Sequence, residues 1–113
     1  MPIDRTRGGA AAVGAKLFRG FGDPTRLSIL WALAAGEKRV VDLVSEVGTS
    51  QPNASGHLAC LKECGLVSDR PAGRQVFYRI SSPEVLELLS AAERVLAVHG
   101  RRVRLCPRHA ARG

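Results

Sequence analysis

The chain has 113 residues, 45% of them hydrophobic, which suits one packed domain and is too short for two. Seventeen Lys and Arg against ten Asp and Glu leave a formal charge of +7, a balance that favours a polyanionic partner, of which nucleic acid is the commonest. No apolar run approaches the roughly 20 residues of a membrane span, and the opening MPIDRTRGG lacks the apolar core of a signal peptide, so a cytoplasmic protein without a membrane partner is expected.

Residues 1–9, with Pro2, Gly8, Gly9 and charges, read as a flexible N-terminus. Residues 10–21 predict a first helix with Val13, Leu17 and Phe21 on one stripe, weakened at its end by Gly20 and Gly22. Asp23-Pro24 is a strong helix start, Asp at the N-cap and Pro in the first turn, and it predicts a second helix over 24–35 that stops at Gly36. Arg39 to Val47 predicts a short third helix with Val40, Leu43, Val44 and Val47 facing inward. After Gly48, Thr49 or Ser50 caps a fourth helix that Gly65 ends. A short amphipathic helix, a turn of about three residues and a longer helix form the helix-turn-helix pattern.

Leu66–Arg70 has strand character, Pro71-Ala72-Gly73 reads as a turn, and Arg74–Ile80 alternates, with Val76, Tyr78 and Ile80 on one face. A hairpin with a basic tip directly after a helix-turn-helix is a winged helix. Ser81 or Ser82 then caps a last helix whose apolar stripe runs through Val85, Leu88, Leu89, Ala92, Val95 and Leu96 to His99. So long an apolar face exceeds what one winged helix buries, so the first and last helices are expected to form a dimer interface. The fold class is thus mainly α with a small β-hairpin: a winged helix-turn-helix and dimerisation domain over residues 10–99. Beyond it lies a C-terminal tail, 100–113, that carries five arginines and reads as solvated.

On the fourth helix, Ala54, Leu58, Leu61 and Gly65 share the core side, while Gln51, Ser55, Ala59 and Lys62 lie roughly opposite. Small and amide side chains near a helix N-terminus approach base edges closely, so Ser50, Gln51, Asn53, Ser55 and Gly56 are the candidate DNA-reading residues. Lys62, with Arg70 and Arg74 on the wing, suits phosphates. The bland alternative is an ordinary polar helix face. His57 borders the core side and reads first as a buried, hydrogen-bonded histidine.

Three cysteines make a complete disulfide framework an unlikely design. Cys60 and Cys64 are one turn apart, which places their Cβ atoms about 5–6 Å apart; a disulfide needs about 3.5–4.5 Å. They suit two thiolates converging on one ion, and Cys106 is available as a third ligand for a soft, thiophilic metal. Zinc would want a fourth ligand, for which His99 or His109 is available. Simple core filling is the alternative for Cys64.

Three stretches make the chain resemble the ArsR/SmtB family of winged-helix, metal-responsive repressors over about residues 10–99: Phe21–Leu30 (FGDPTRLSIL), Ser50–Leu58 (SQPNASGHL) and Gly73–Tyr78 (GRQVFY). Within the family, His57–Val67 (HLACLKECGLV) and Cys106 are most similar to the CmtR-type cadmium/lead sensors. The resemblance implies a homodimeric repressor that binds operator DNA when metal-free. Cd(II) or Pb(II) would release it, bound by the two cysteines of the recognition helix and one from the tail of the other subunit. The family's Cys-Val-Cys site is replaced here by Arg39, Val40 and Val41, and Glu84, Glu87, Glu93 and His99 do not reproduce its zinc site on the last helix. Rival readings are the same fold responding to As(III), Bi(III) or thiol oxidation, and a metal-buffering protein that binds no DNA. An enzyme is not expected, because no carboxylate or oxyanion framework accompanies the cysteines and His57.

Overall fold

The computed structural model describes residues 7–106. Five helices and three short strands follow one another as α1 (Arg7–Arg19), α2 (Pro24–Ala34), β1 (Lys38–Arg39), α3 (Val40–Val47), α4 (Gln51–Glu63), β2 (Val67–Ala72), β3 (Gln75–Ile80) and α5 (Pro83–Val98). This is the expected winged helix-turn-helix. α1 begins at Arg7, three residues before the predicted start, so the flexible N-terminus read from sequence gives way to helix by that point; its residues 1–6 lie outside the described residues.

Local chemistry accounts for most boundaries. Asp23 caps α2 by accepting the Arg26 N–H at 3.0 Å, and Ser50 caps α4 by accepting the Asn53 N–H at 3.2 Å. α4 ends in a Schellman motif: Leu66 N–H reaches Leu61 O at 2.9 Å and Gly65 N–H reaches Lys62 O at 3.0 Å. Gly65 takes φ 82, the left-handed conformation that this motif requires. The same two bonds recur at the end of α5, from Arg101 to Leu96 O and Gly100 to Ala97 O, with Gly100 at φ 81. That second motif turns the chain back toward the body of the protein.

The sheet differs from the predicted hairpin in two ways. A third strand is present: β1 pairs antiparallel with β3, Lys38 opposite Tyr78 and Arg39 opposite Phe77, giving the order β1-β3-β2. Two residues are too few to show alternation, so Arg39 read as helix; it pairs in the sheet and occupies the N-cap of α3, where Asp42 accepts its backbone N–H at 3.1 Å. The turn also shifts. Pro71 and Ala72 pair with Val76 and Gln75, leaving only Gly73 and Arg74 as the connection. Pro71 is tolerated because β2 is an edge strand.

The core unites Ile29, Leu30 and Leu33 of α2, Leu43 of α3, Leu58 and Leu61 of α4, Leu66 and Val67, and Val85 and Leu89 of α5. It also contains Cys106, which is 1% exposed. This corrects the reading of the tail as merely solvated. Arg101–Arg104 are exposed, but Leu105 packs on the core and Cys106 enters it. The buried Glu93 carboxylate of α5 holds them there, accepting the backbone N–H of Leu105 and that of Cys106, the latter at 3.1 Å. Four large apolar side chains stay exposed on the first and last helices: Val13 and Phe18 on α1, Val95 and Val98 on α5.

Candidate nucleic-acid interface and its cysteine pair

α4 separates its faces as its sequence predicts. Ala54, Leu58 and Leu61 are fully buried, while Gln51, Ser55, Gly56, Ala59 and Lys62 are exposed; of the predicted inner face only Gly65 lies outside. Ser50 and Asn53 are also exposed, though both serve the helix start: Ser50 Oγ is the cap, and Asn53 Nδ2 donates to Thr49 Oγ1 at 2.7 Å. A Cβ added at Gly56 would meet open space. The helix N-terminus therefore offers amide, hydroxyl and bare backbone groups outward, the combination that can approach base edges.

The predicted phosphate contacts are exposed, but two of the three are already engaged. Lys62 Nζ lies 3.0 Å from Asp69 Oδ2. The Arg70 guanidinium grips Glu37 with two bonds, Nε to Oε2 at 2.9 Å and Nη2 to Oε1 at 2.8 Å, and lies 4.9 Å over the Phe77 ring. Arg74, in the turn of the wing, makes no ion pair among the described residues. Sequence reasoning missed Glu37 and Asp69 because each partner lies on a different element, Arg70 33 positions from Glu37 and Lys62 on α4 while Asp69 is on β2.

His57 is partly rather than fully buried, and it has the polar partners expected of it, from α2 and its cap. Arg26 Nη1 is 3.3 Å from Nδ1, and Asp23 Oδ2 is 3.8 Å from Nε2. An Arg guanidinium only donates, so Nδ1 accepts and the ring hydrogen sits on Nε2, toward Asp23. Arg26 also donates to Gly20 O at 3.3 Å and Arg19 O at 2.7 Å. One side chain thus ties the last carbonyls of α1 to the helix that would enter a groove. Asp23 is held below the usual carboxylate range, chiefly by the Arg26 N–H.

Cys60 and Cys64 lie one turn apart at the end of α4, both partly buried and close enough for Cys60 to perturb the Cys64 thiol. Cys64 occupies the C-cap and faces the end of α1, where Gly20 makes room for it. Burial pushes the Cys64 thiol up, the adjacent Cys60 adds to the rise, and Arg19 opposes it. Cys106 does not join them: it lies in the core, and among the described residues no group of three or more His, Cys, Asp or Glu is arranged to hold a metal ion. His99 is exposed at the end of α5, and His109 lies outside the described residues. As it stands, the arrangement fits a soft ion through two thiols, with any further ligand supplied by movement or by another chain.

No helix of the described residues is long and apolar enough to cross a membrane. Residues 23–69, from the α2 cap to the middle of β2, match the family described as bacterial regulatory protein, arsR family. The chain is 37% identical over 94 residues to a probable mercury resistance operon repressor of Streptomyces lividans, covering 83% of this chain and 75% of that protein. A homodimeric winged helix-turn-helix DNA-binding domain from Mycobacterium bovis, a possible ArsR-family transcriptional regulator, superposes with a TM-score of 0.75 at 30% identity, covering 82% of this chain and 86% of that one. The cadmium metal-sensor CMTR of Mycobacterium tuberculosis gives a TM-score of 0.59 at 39% identity, covering 68% and 80%. With its helix-turn-helix, its wing and its matching relatives, the chain belongs to the ArsR family of winged helix-turn-helix transcriptional repressors and is not an enzyme.

Proposed function

We propose that the protein is a homodimeric repressor that binds operator DNA when metal-free and is released by a thiophilic ion, Cd(II) or Pb(II). The observation that carries this reading is the Cys60–Cys64 pair: two neighbouring thiols, one turn apart, on a helix whose outer face is exposed. An ion gripped there bears on the same rigid element that reads DNA, with Ser50, Gln51, Asn53, Ser55 and Gly56 toward bases and Lys62, Arg70 and Arg74 toward phosphates. Val13, Phe18, Val95 and Val98 supply the apolar face for a second copy, and the Mycobacterium bovis relative is a homodimer. Cys106 is the third ligand, drawn from the core of its own subunit, so that ion binding also moves the tail. Zinc would need a fourth ligand, such as His99. The linkage is reciprocal: whatever factor the ion takes from DNA affinity, DNA takes from ion affinity, typically about 1–3 kcal/mol.

The test is fluorescence anisotropy on duplex from the protein's own upstream region, with Cd(II) and Pb(II) titrated in. Wild type should bind and be released; Cys60→Ser and Cys64→Ser should bind and resist release. Release that survives in Cys60→Ser refutes the site. The burial of Cys106 favours a second reading, in which the responsive ion is one satisfied by two thiolates, such as Hg(II). Under it, Cys106→Ser responds like wild type to Hg(II), and Cd(II) fails to release DNA.

A further inference from the structure

We propose that Glu37 is an intramolecular stand-in for a DNA phosphate: its carboxylate occupies the Arg70 fork in the free protein and so sets how tightly the wing holds a duplex. This deepens the DNA-binding reading and rests on it. The geometry follows from the strand order. Glu37 directly precedes β1, Arg70 lies on β2, and β3 runs between them. The pair therefore reaches across the central strand, above Phe77, which is the register partner of both Arg39 and Arg70.

Three contacts hold the guanidinium in this pose: two bonds to Glu37, at 2.9 and 2.8 Å, and the Phe77 ring face at 4.9 Å. The Arg70 side chain is nonetheless 54% exposed, so the fork is satisfied without being hidden. Carboxylate and phosphate are the two anions that match a guanidinium fork bidentately, and they compete for the same pair of N–H groups. The Arg70 bonds hold the Glu37 carboxyl below the usual carboxylate range, and the positive charge of Arg79 adds to that. Lys62 repeats the arrangement with Asp69 at 3.0 Å. Among the described residues Arg74 makes no ion pair, and it is the wing cation that meets DNA without first giving up a partner.

The experiment compares wild type, Glu37→Gln, Arg70→Gln and the double variant on a labelled random-sequence duplex over a salt series, since phosphate contacts are independent of sequence. Glu37→Gln should bind about two- to fivefold tighter at low salt, in keeping with the modest strength of an exposed ion pair. Its log affinity should fall more steeply with log salt, by about 0.9 for one added phosphate contact. In the Arg70→Gln background the gain should vanish. A Glu37→Gln protein that melts like wild type and binds no tighter overturns the proposal. So does an equal gain with and without Arg70, which would reduce Glu37 to net charge. Wild type that fails to bind duplex at any salt overturns the DNA-binding reading as well, whereas the first two outcomes leave that reading intact. Asp69→Asn is the parallel variant and should give the same pattern through Lys62.

Discussion

Replacing Glu93 with Ala removes the carboxylate that accepts the backbone N–H groups of Leu105 and Cys106. A hydrogen bond to a charged group contributes about 1.5–3 kcal/mol, so two would amount to roughly 3–6 kcal/mol if the tail had to stay in place. The tail can instead undock. The cost is then limited to what docking supplies, the burial of Cys106 and part of Leu105, and that lowers the expectation to about 2–4 kcal/mol. Two readouts follow it. Trp31 is the only tryptophan and shares a cavity of about 550 Å³ with Arg104 and Leu105, so its emission should shift to the red when the tail leaves. In a Cys60→Ser/Cys64→Ser background, Cys106 should react with a bulky thiol reagent roughly 30- to 700-fold faster in Glu93→Ala than with Glu93 present, the rate equivalent of that free energy. Because the proposed ion recruits Cys106 out of the core, Glu93→Ala should also bind Cd(II) more tightly in the three-cysteine protein. If Cys106 labels at the rate of an unfolded thiol with Glu93 intact, or if Glu93→Ala alters neither labelling nor emission, the latch does not exist.

Gly20→Ala places a Cβ 2.4 Å from Cδ1 of the buried Leu66, which must shift, and should cost about 1–3 kcal/mol on urea denaturation; wild-type stability would contradict that packing. Gly56→Ala should do the reverse to the fold, adding about 0.5–1 kcal/mol of helix stability because its methyl enters open space, while weakening DNA binding; a more stable variant with unchanged affinity would mean the duplex does not approach that backbone. Leu61→Ala, in the fully buried face of α4, should cost about 2–5 kcal/mol by thermal melting, and a loss under 1 kcal/mol would be incompatible with its burial. Asp23, Glu37 and Asp42 are held below the ordinary carboxylate range by the Arg26 N–H, the Arg70 guanidinium and the Arg39 guanidinium respectively. Each binds fewer protons folded than unfolded as pH approaches their ordinary values near 4, so the stability they give is complete above that range and is lost as pH falls through it. A melting temperature unchanged from pH 6 to pH 3 would contradict all three.

Elements with a repeating or capping signal were legible in the sequence. Asp23-Pro24 and Ser50 announced their helices because a side-chain oxygen three residues before a free N–H is a local arrangement. The inner face of α4 was legible because Ala54, Leu58 and Leu61 follow the helical period. All eight candidate DNA-contacting residues, five for bases and three for phosphates, are exposed. What escaped was non-local. β1 is too short to alternate and exists because β3 offers it an edge. Glu37 and Asp69 drew no reading of their own because their partners lie on other elements. Glu93 was weighed as a metal ligand and dismissed; its partners are backbone groups of the tail, which no side-chain pattern reveals. The tail around Cys106 read as solvated because it is rich in arginine, yet Arg101, Arg102 and Arg104 are exposed while Leu105 and Cys106 turn inward.

Arg26 has a consequence for how the chain assembles. The carbonyls of Arg19 and Gly20, at and just past the end of α1, accept from a side chain of the following helix, in addition to the Gly22 N–H that Arg19 O accepts. α1 leaves Val13 and Phe18 outside and has Gly14 within it, so it lacks the means to persist alone. It should therefore form last, after α2 has set Arg26 in place, and open first in native-state hydrogen exchange. Arg26 also meets His57, so each opening of α1 withdraws one tether from the reading helix. In the isolated chain, N-terminal fraying and the positioning of α4 thus belong to one cooperative unit.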